Sequence, residues 1–165
     1  MKTITTLATA TFAAAVALPP TAHADPTPPC ASGQVQVDNG GEQAAAGHRR
    51  VLLVFRLAPG TEPCTLTGYP GVDSGAGGPL LHAERTMSGY MGGVQVETPP
   101  TITLSPSQPA YAVVEGVAIN AADADGTCPT YTDLRVTPPD TTNTVTIPAG
   151  IDTCALQIHP VASQP

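Results

Sequence analysis

Short apolar and β-branched runs, separated by Gly, Pro, Asn and Asp, make up most of the chain after residue 30. Such runs with turn residues between them are typical of the strands of an all-β sandwich or barrel. We therefore expect about seven to nine short antiparallel strands and little helix, at most one turn near 118–124. The predicted strands are 34–37, 51–57, 80–85, 101–104, 110–117, 131–137, 144–147 and 155–159.

Three of these regions carry more detail. In 51–57, apolar residues occupy both alternating sets of positions, so we expect a strand that is covered on both faces. The cluster Asn39-Gly40-Gly41 predicts a turn that ends the first strand. Residues 105–109 predict the turn of a hairpin formed by 103–114.

The cysteines are even in number and include no Cys-x-x-Cys pair, which favours two structural disulfides among three possible connectivities. They are Cys30, Cys64, Cys128 and Cys154. In the expected hairpin 131–147, Leu134 faces Ile147, and the numbers of paired residues sum to 281, whereas Cys128 and Cys154 sum to 282. These two cysteines therefore lie within one residue of registry at the open end of the hairpin, and we expect them to pair. Cys30 with Cys64 follows by elimination.

The first 24 residues have the features of a secretory signal peptide, with Lys2, an apolar stretch and Ala22-His23-Ala24 before the expected cleavage site. That stretch is too short to span a bilayer about 30 Å thick, and no later segment is apolar enough, so we expect no integral membrane segment in the mature chain. The predicted organisation is a signal peptide (1–24), a proline-rich leader (25–29), one β-sandwich domain (30–160) and a C-terminal tail (161–165). The expected location is extracellular, free or associated with the cell wall.

Charge limits the partners. The formal net charge is −7, and it becomes −8 without Lys2, the only lysine, because five arginines then oppose 13 acidic residues. Nucleic acid is bound largely through Lys and Arg, so we expect no nucleic-acid partner.

One segment has a superficial likeness to a catalytic motif. Residues 71–79 resemble the Gly-Asp-Ser-Gly-Gly-Pro segment around a trypsin-like nucleophile, which would make Ser74 the nucleophile and His48 the base. His48 and Ser74 are only 26 residues apart, and the chain is too small for the two barrels that assemble such a triad. A Gly-rich loop is the better interpretation, and we expect no catalytic residue.

Metal-binding patterns are incomplete. Asp123, Asp125 and Asp133 are weak calcium candidates, but Ala121 and Thr132 stand where an EF-hand loop needs acidic residues. A solvated turn is favoured there. His48, His82 and His159 show no metal-ligand spacing. We expect neither a metal site nor a cofactor.

The segment 87–93 differs in character, because two methionines and a tyrosine stand among glycines. Such an adaptable apolar loop is typical of surfaces that contact a partner. The simpler interpretation is that Tyr90 and one methionine cap the core. The candidate binding surface consists of Met87, Tyr90, Met91, Asp73 and Ser74.

Several motifs resemble the actinobacterial domain-of-unknown-function 4232 family. They are Ala45-Ala46-Gly47-His48-Arg49, Pro63-Cys64-Thr65-Leu66-Thr67-Gly68-Tyr69-Pro70-Gly71-Val72, Cys128-Pro129 and Leu134-Arg135-Val136. The resemblance spans essentially the whole chain after the signal peptide. It implies a secreted or lipid-anchored envelope protein with an immunoglobulin-like β-sandwich, two disulfides and no established activity.

We therefore expect a secreted, non-enzymatic β-sandwich that binds a protein or cell-envelope component through its loops. A structural or accessory envelope protein without a specific ligand is the alternative, and a secreted hydrolase is the third hypothesis. A histidine and a carboxylate brought together in one cavity would favour the hydrolase.

Overall fold

The computed structural model describes residues 25–93, 95–119 and 126–165, and these residues form ten strands and no helix. The strands are β1 (Val35–Ala45), β2 (His48–Leu57), β3 (Cys64–Thr67), β4 (Gly71–Ser74), β5 (Glu84–Arg85), β6 (Thr101–Leu104), β7 (Ala110–Val117), β8 (Thr130–Thr137), β9 (Val145–Asp152) and β10 (Ala155–Ile158). The all-β prediction is confirmed. The number of strands is higher than expected because β3 and β4 are not predicted. Each has only four residues, and they lie on either side of the Tyr-Pro-Gly turn.

The strands form two layers around one apolar core. One layer is a five-stranded sheet in the order β1-β2-β7-β10-β5, and the other combines the sheet β4-β8-β9 with the pair β3-β6. Strand β9 contacts β1, β2 and β7 across the core, and β4 contacts β10. Strands β5 and β10 pair in parallel, which departs from the antiparallel prediction. No helix in the described ranges is long and apolar enough to cross a membrane.

Strand β2 is covered on both faces, as its sequence predicts. Val51, Leu53 and Phe55 belong to the main core, and Leu52 and Val54 belong to a small cluster on the outer face. Because burying such a side chain contributes about 1.5–3 kcal/mol, this strand is a major source of stability.

The cluster Asn39-Gly40-Gly41 forms a β-bulge, and the prediction of a turn there is wrong. Asn39 pairs with Leu53 and Glu42 pairs with Val51, so two residues of β1 lie opposite one residue of β2. The Asn39 Oδ1 accepts the N–H of Gly41 at 2.8 Å. The local hydrogen bonding that often makes a turn thus bends a continuous strand instead.

The chain turns after Ala45, at Ala46 and Gly47, whose φ angles are 47° and 82°. A two-residue hairpin loop with positive φ at both positions is a type I′ turn, which suits the twist of the strands that it joins. The turn places His48 at the start of β2, opposite Ala45.

The predicted hairpin of 103–114 is also wrong, since β6 pairs with β3 whereas β7 pairs with β2 and β10. Ser105 and Gln108 exchange two backbone hydrogen bonds, and the pairing stops there. The next residue on one side is Pro109, which has no N–H to donate to a ladder. The two strands separate into different layers from this point.

The hairpin of β8 and β9 has the predicted register near its turn, with Leu134 opposite Ile147. Further from the turn, β9 contains one extra residue, so that Tyr131 faces Ile151 and the numbers of paired residues sum to 282. This shift brings Cys128 and Cys154 into registry.

Both predicted disulfides are confirmed. Cys128 and Cys154 are bonded with their Cα atoms 4.9 Å apart, and Cys30 and Cys64 with theirs 4.7 Å apart. The second bond ties the segment before β1 to β3, where the Cys30 N–H also donates to the Thr65 carbonyl.

The folded domain continues past residue 160, where we expected the tail to begin. Val161 is fully buried in the core, and its N–H donates to the Gly68 carbonyl. Ala162 exchanges two backbone hydrogen bonds with Tyr111. The tail therefore begins after Ala162.

An ion pair joins the two layers at the start of β2. The Arg49 Nε and Nη2 donate to the two carboxylate oxygens of Asp152, at 2.5 and 2.6 Å. Hydrogen bonding from this guanidinium lowers the pKa of the Asp152 carboxyl below its usual range.

We expect Asp152→Asn to reduce stability by about 0.5–1 kcal/mol at pH 7, since the pair is partly exposed to solvent. The depressed pKa means that the stabilisation is present above the unfolded-state value of about 3.9 and disappears as the pH falls through the folded-state value. Urea unfolding at several pH values measures this. A difference between wild type and variant that stays constant down to pH 2 would contradict the assignment.

We expect the double variant Cys128→Ser, Cys154→Ser to lose about 3–4 kcal/mol, because the bond closes a loop of about 27 residues in the unfolded chain. Guanidinium unfolding measures the loss. Peptide mapping of the unreduced wild type is the companion experiment, and a Cys30 to Cys128 crosslink there would refute the pairing.

Candidate functional site

A carboxylate is buried on the outer face of the five-stranded sheet. Alternation along β7 directs Ala112 and Val114 into the core and Glu115 to the opposite face, where it is 3% exposed. Its Oε2 accepts the N–H of Tyr90 and its Oε1 accepts the N–H of Met91, both at 2.9 Å. Glu115 thus fixes the segment 86–93 on the sheet.

A fully buried histidine supplies the third partner of this carboxylate. The His159 Nε2 lies 3.1 Å from the Glu115 Oε1, which places the imidazole proton on Nε2. Among the described residues, the Nδ1 of the same ring is buried and has no hydrogen-bond partner. Gly93, with φ of 87°, lies so close to this ring that a Cβ there would be 2.3 Å from Nδ1.

Glycine is required at a second point of the same segment. A Cβ on Gly89 would lie 2.3 Å from both carboxylate oxygens of Glu115. Side chains at 89 or 93 would therefore lift the segment away from the sheet.

Tyr90 is directed outward by this arrangement, and the residue is 78% exposed. Its ring stacks on His48, with centroids 4.4 Å apart and planes inclined by 23°. The interpretation that Tyr90 caps the core is wrong. Met87 and Met91 are half-buried beside it.

A cavity of about 250 Å³ opens next to the exposed ring. It lies over the ends of β7 and β10, and we call it the Tyr90 cavity. The residues whose side chains give it its chemical character are His48, His82, Glu84, Tyr90, Val117 and Gln157. Val117 is one of the few exposed large apolar residues of the described chain.

The other two residues of the predicted binding surface, Asp73 and Ser74, are neighbours on β4 but have different roles. Asp73 reaches the cavity indirectly, since its Oδ1 lies 2.6 Å from the Nδ1 of His82. Ser74 is 1% exposed, and its Oγ accepts the N–H of Leu81 and donates to the carbonyl of Pro79. The Ser74 hydroxyl therefore closes a turn and faces no partner.

The three histidines among the described residues, which show no common spacing in the sequence, all lie around the segment that carries Tyr90. His48 stacks on Tyr90, His82 lines the cavity, and His159 lies under the glycines. The sequence points to Tyr90, Met87, Met91 and Asp73, but it does not reveal the Glu115–His159 pair or the convergence of the histidines. The available signal was Glu115, the one charged residue in the apolar run 110–117.

Of the calcium candidates, Asp123 and Asp125 lie outside the described residues. Asp133 has a structural role, because its Oδ1 accepts the N–H of Ala76 at 3.0 Å and the hydroxyl of Thr132 at 3.1 Å. Within the described ranges, no group of three or more His, Cys, Asp or Glu residues is arranged to hold a metal ion.

Comparison with known families gives one result. The family described as "Domain of unknown function (DUF4232)" matches residues 30–162, which include every strand and all four cysteines. Searches of curated proteins and of solved structures found no match.

We expect Glu115→Gln to loosen the segment 86–93, because an amide offers one acceptor oxygen where the carboxylate offers two to the N–H groups of Tyr90 and Met91. Amide hydrogen exchange should accelerate at Tyr90 and Met91 by about tenfold, the equivalent of about 1.4 kcal/mol of local stability. NMR-detected exchange measures it. Glu62→Gln, at an exposed site, is the matched control, and equal exchange in both variants would contradict the role of Glu115.

Proposed function

The chain belongs to the DUF4232 family, whose function is unknown, and we propose that it is a secreted, non-enzymatic domain that binds a protein or cell-envelope component. The Tyr90 cavity is the proposed binding site. The single observation that carries this proposal is the exposed Tyr90 ring, held in place by the buried Glu115 beside an open cavity.

The environment of Tyr90 supports a binding role. A large aromatic ring in water costs solvation free energy, and a sandwich that needed no partner could bury it at the core edge. Here the backbone of Tyr90 is fixed by Glu115 and the ring is supported by His48. A site ordered before binding loses little conformational entropy on association, which is the property expected of an interface anchor.

A hydrolase is the second candidate, because His82 and a carboxylate do meet at one cavity. Asp73 holds the Nδ1 of His82, as an orienting acid holds a general base. The His82 side chain is 73% exposed, however, and the Ser74 hydroxyl is buried and engaged in a turn. Within the described residues, no serine, threonine or free cysteine lines the cavity beside this exposed base, which favours binding over catalysis.

We also propose that the protein is exported and acts at an actinobacterial cell envelope. Two disulfides support folding in an oxidising compartment. The proposed signal peptide, residues 1–24, rests on its sequence pattern.

We expect Tyr90→Ala to weaken partner binding at least tenfold, since truncating a central aromatic anchor typically costs about 2 kcal/mol or more. The mature chain, immobilised, is exposed to culture-filtrate and cell-wall fractions, and recovered components are quantified. Leu80→Ala is the matched control, because Leu80 is 52% exposed but lies outside the Tyr90 cavity.

Equal recovery of every component by wild type and Tyr90→Ala would refute the binding site. It would favour a structural or accessory envelope protein without a specific ligand.

A further inference from the structure

We infer that the Tyr90 cavity binds a single pyranose ring of a neutral glycan. This inference deepens the proposed function and rests on it. In the inferred complex, one apolar face of the sugar lies on the Tyr90 ring, and the hydroxyl groups meet Glu84, Gln157 and His82.

The size of the cavity limits the ligand to about one ring. Its volume of about 250 Å³ is below the roughly 300–1,000 Å³ of sites for drug-sized molecules. A peptide segment of several residues would contact the rim only, whereas one six-membered ring fits inside.

The aromatic platform is suited to a ring with an apolar face. Tyr90 uses one face of its ring to stack on His48, and because the residue is 78% exposed, the other face is open to solvent. Val117, also exposed, adds apolar surface on the floor of the cavity. The C–H groups on one side of a pyranose form a flat apolar surface of this kind.

The polar groups of the lining are free to bind hydroxyls. Within the described part of the chain, the side chains of Glu84 and Gln157 and the hydroxyl of Tyr90 make no hydrogen bond, and His82 uses only its Nδ1. Glu84 can only accept, Gln157 can both donate and accept, and the imidazole Nε2 accepts because the Nδ1 donates to Asp73. This mixture matches hydroxyl groups, which both donate and accept.

Other ligand classes fit less well. A wholly apolar ligand would bury Glu84 and Gln157 without partners, which costs several kcal/mol in general. An anion would meet the Glu84 carboxylate in a chain of net charge −7. A cation would find Glu84 as its one free carboxylate in the described lining, because the two oxygens of Glu115 already accept three donors.

The test is an NMR titration of the disulfide-bonded mature chain with the methyl pyranosides of glucose, galactose, mannose and N-acetylglucosamine. For at least one of them we expect saturable shifts of the Tyr90, Val117 and Gln157 amides. The expected dissociation constant is on the order of 1 mM, given the small number of ligand atoms.

Two variants and their controls locate the site. Tyr90→Ala should weaken binding at least tenfold, and Tyr90→Phe should retain most of it because the ring face remains. Glu84→Gln should weaken binding severalfold, and Glu62→Gln, at an exposed site away from the cavity, should leave it unchanged.

Two results would overturn the inference. One is the absence of saturable shifts with all four glycosides. The other is saturable binding of Nα-acetyl-lysine amide, the cationic probe, in their place. If Tyr90-dependent capture from cell fractions persists in either case, the inferred ligand class is wrong and the proposed binding function stands. If that capture is also absent, both the inferred ligand class and the proposed binding function are refuted.

Discussion

The buried carboxylate of Glu115 is the constraint on which the position of the segment 86–93 depends. A carboxylate in this position costs several kcal/mol unless hydrogen bonds compensate for its lost water. Three donors do so, namely two backbone amides of the segment 86–93 and the ring of His159. The segment must therefore lie flat on the sheet, with glycine at its closest approaches, and Tyr90 is turned outward as a consequence.

The sequence predicts those parts of the fold that follow from local pattern. Strand β2 could be recognised because apolar residues at both sets of alternating positions require cover on both faces. The disulfide of Cys128 could be predicted because a hairpin with a fixed turn has a fixed register. The paired residue numbers sum to 281 near the turn and to 282 at the cysteines, and the extra residue in β9 accounts for this difference of one. When a predicted register places two cysteines one residue out of alignment, the cause can therefore be a β-bulge between them.

The predictions that are wrong concern segments whose local sequence is compatible with two different structures. Asn39-Gly40-Gly41 has the composition of a turn, but its hydrogen bonds are compatible with a bulge, and the pairing with β2 on either side decides between them. The sequence predicts the turn at 105–109 correctly. The pairing stops after Gln108, however, because Pro109 has no N–H to donate, and β6 and β7 lie in different layers. The pairing of Glu115 with His159 joins positions 44 residues apart, and no periodicity in the chain connects them.

Burying the Glu115 carboxylate costs free energy, so its presence on the sheet needs an explanation other than the stability of the sheet. An apolar residue at this position would suit the neighbouring Val113 and avoid the desolvation of a charge, so sheet stability alone does not favour a carboxylate. An apolar side chain could not hold two backbone amides. The stability given up at the sheet is balanced by an ordered segment and by a Tyr90 ring that is already in position. In the proposed binding function, a ligand would meet a rigid aromatic surface, and its binding free energy would not be spent on ordering a glycine-rich loop.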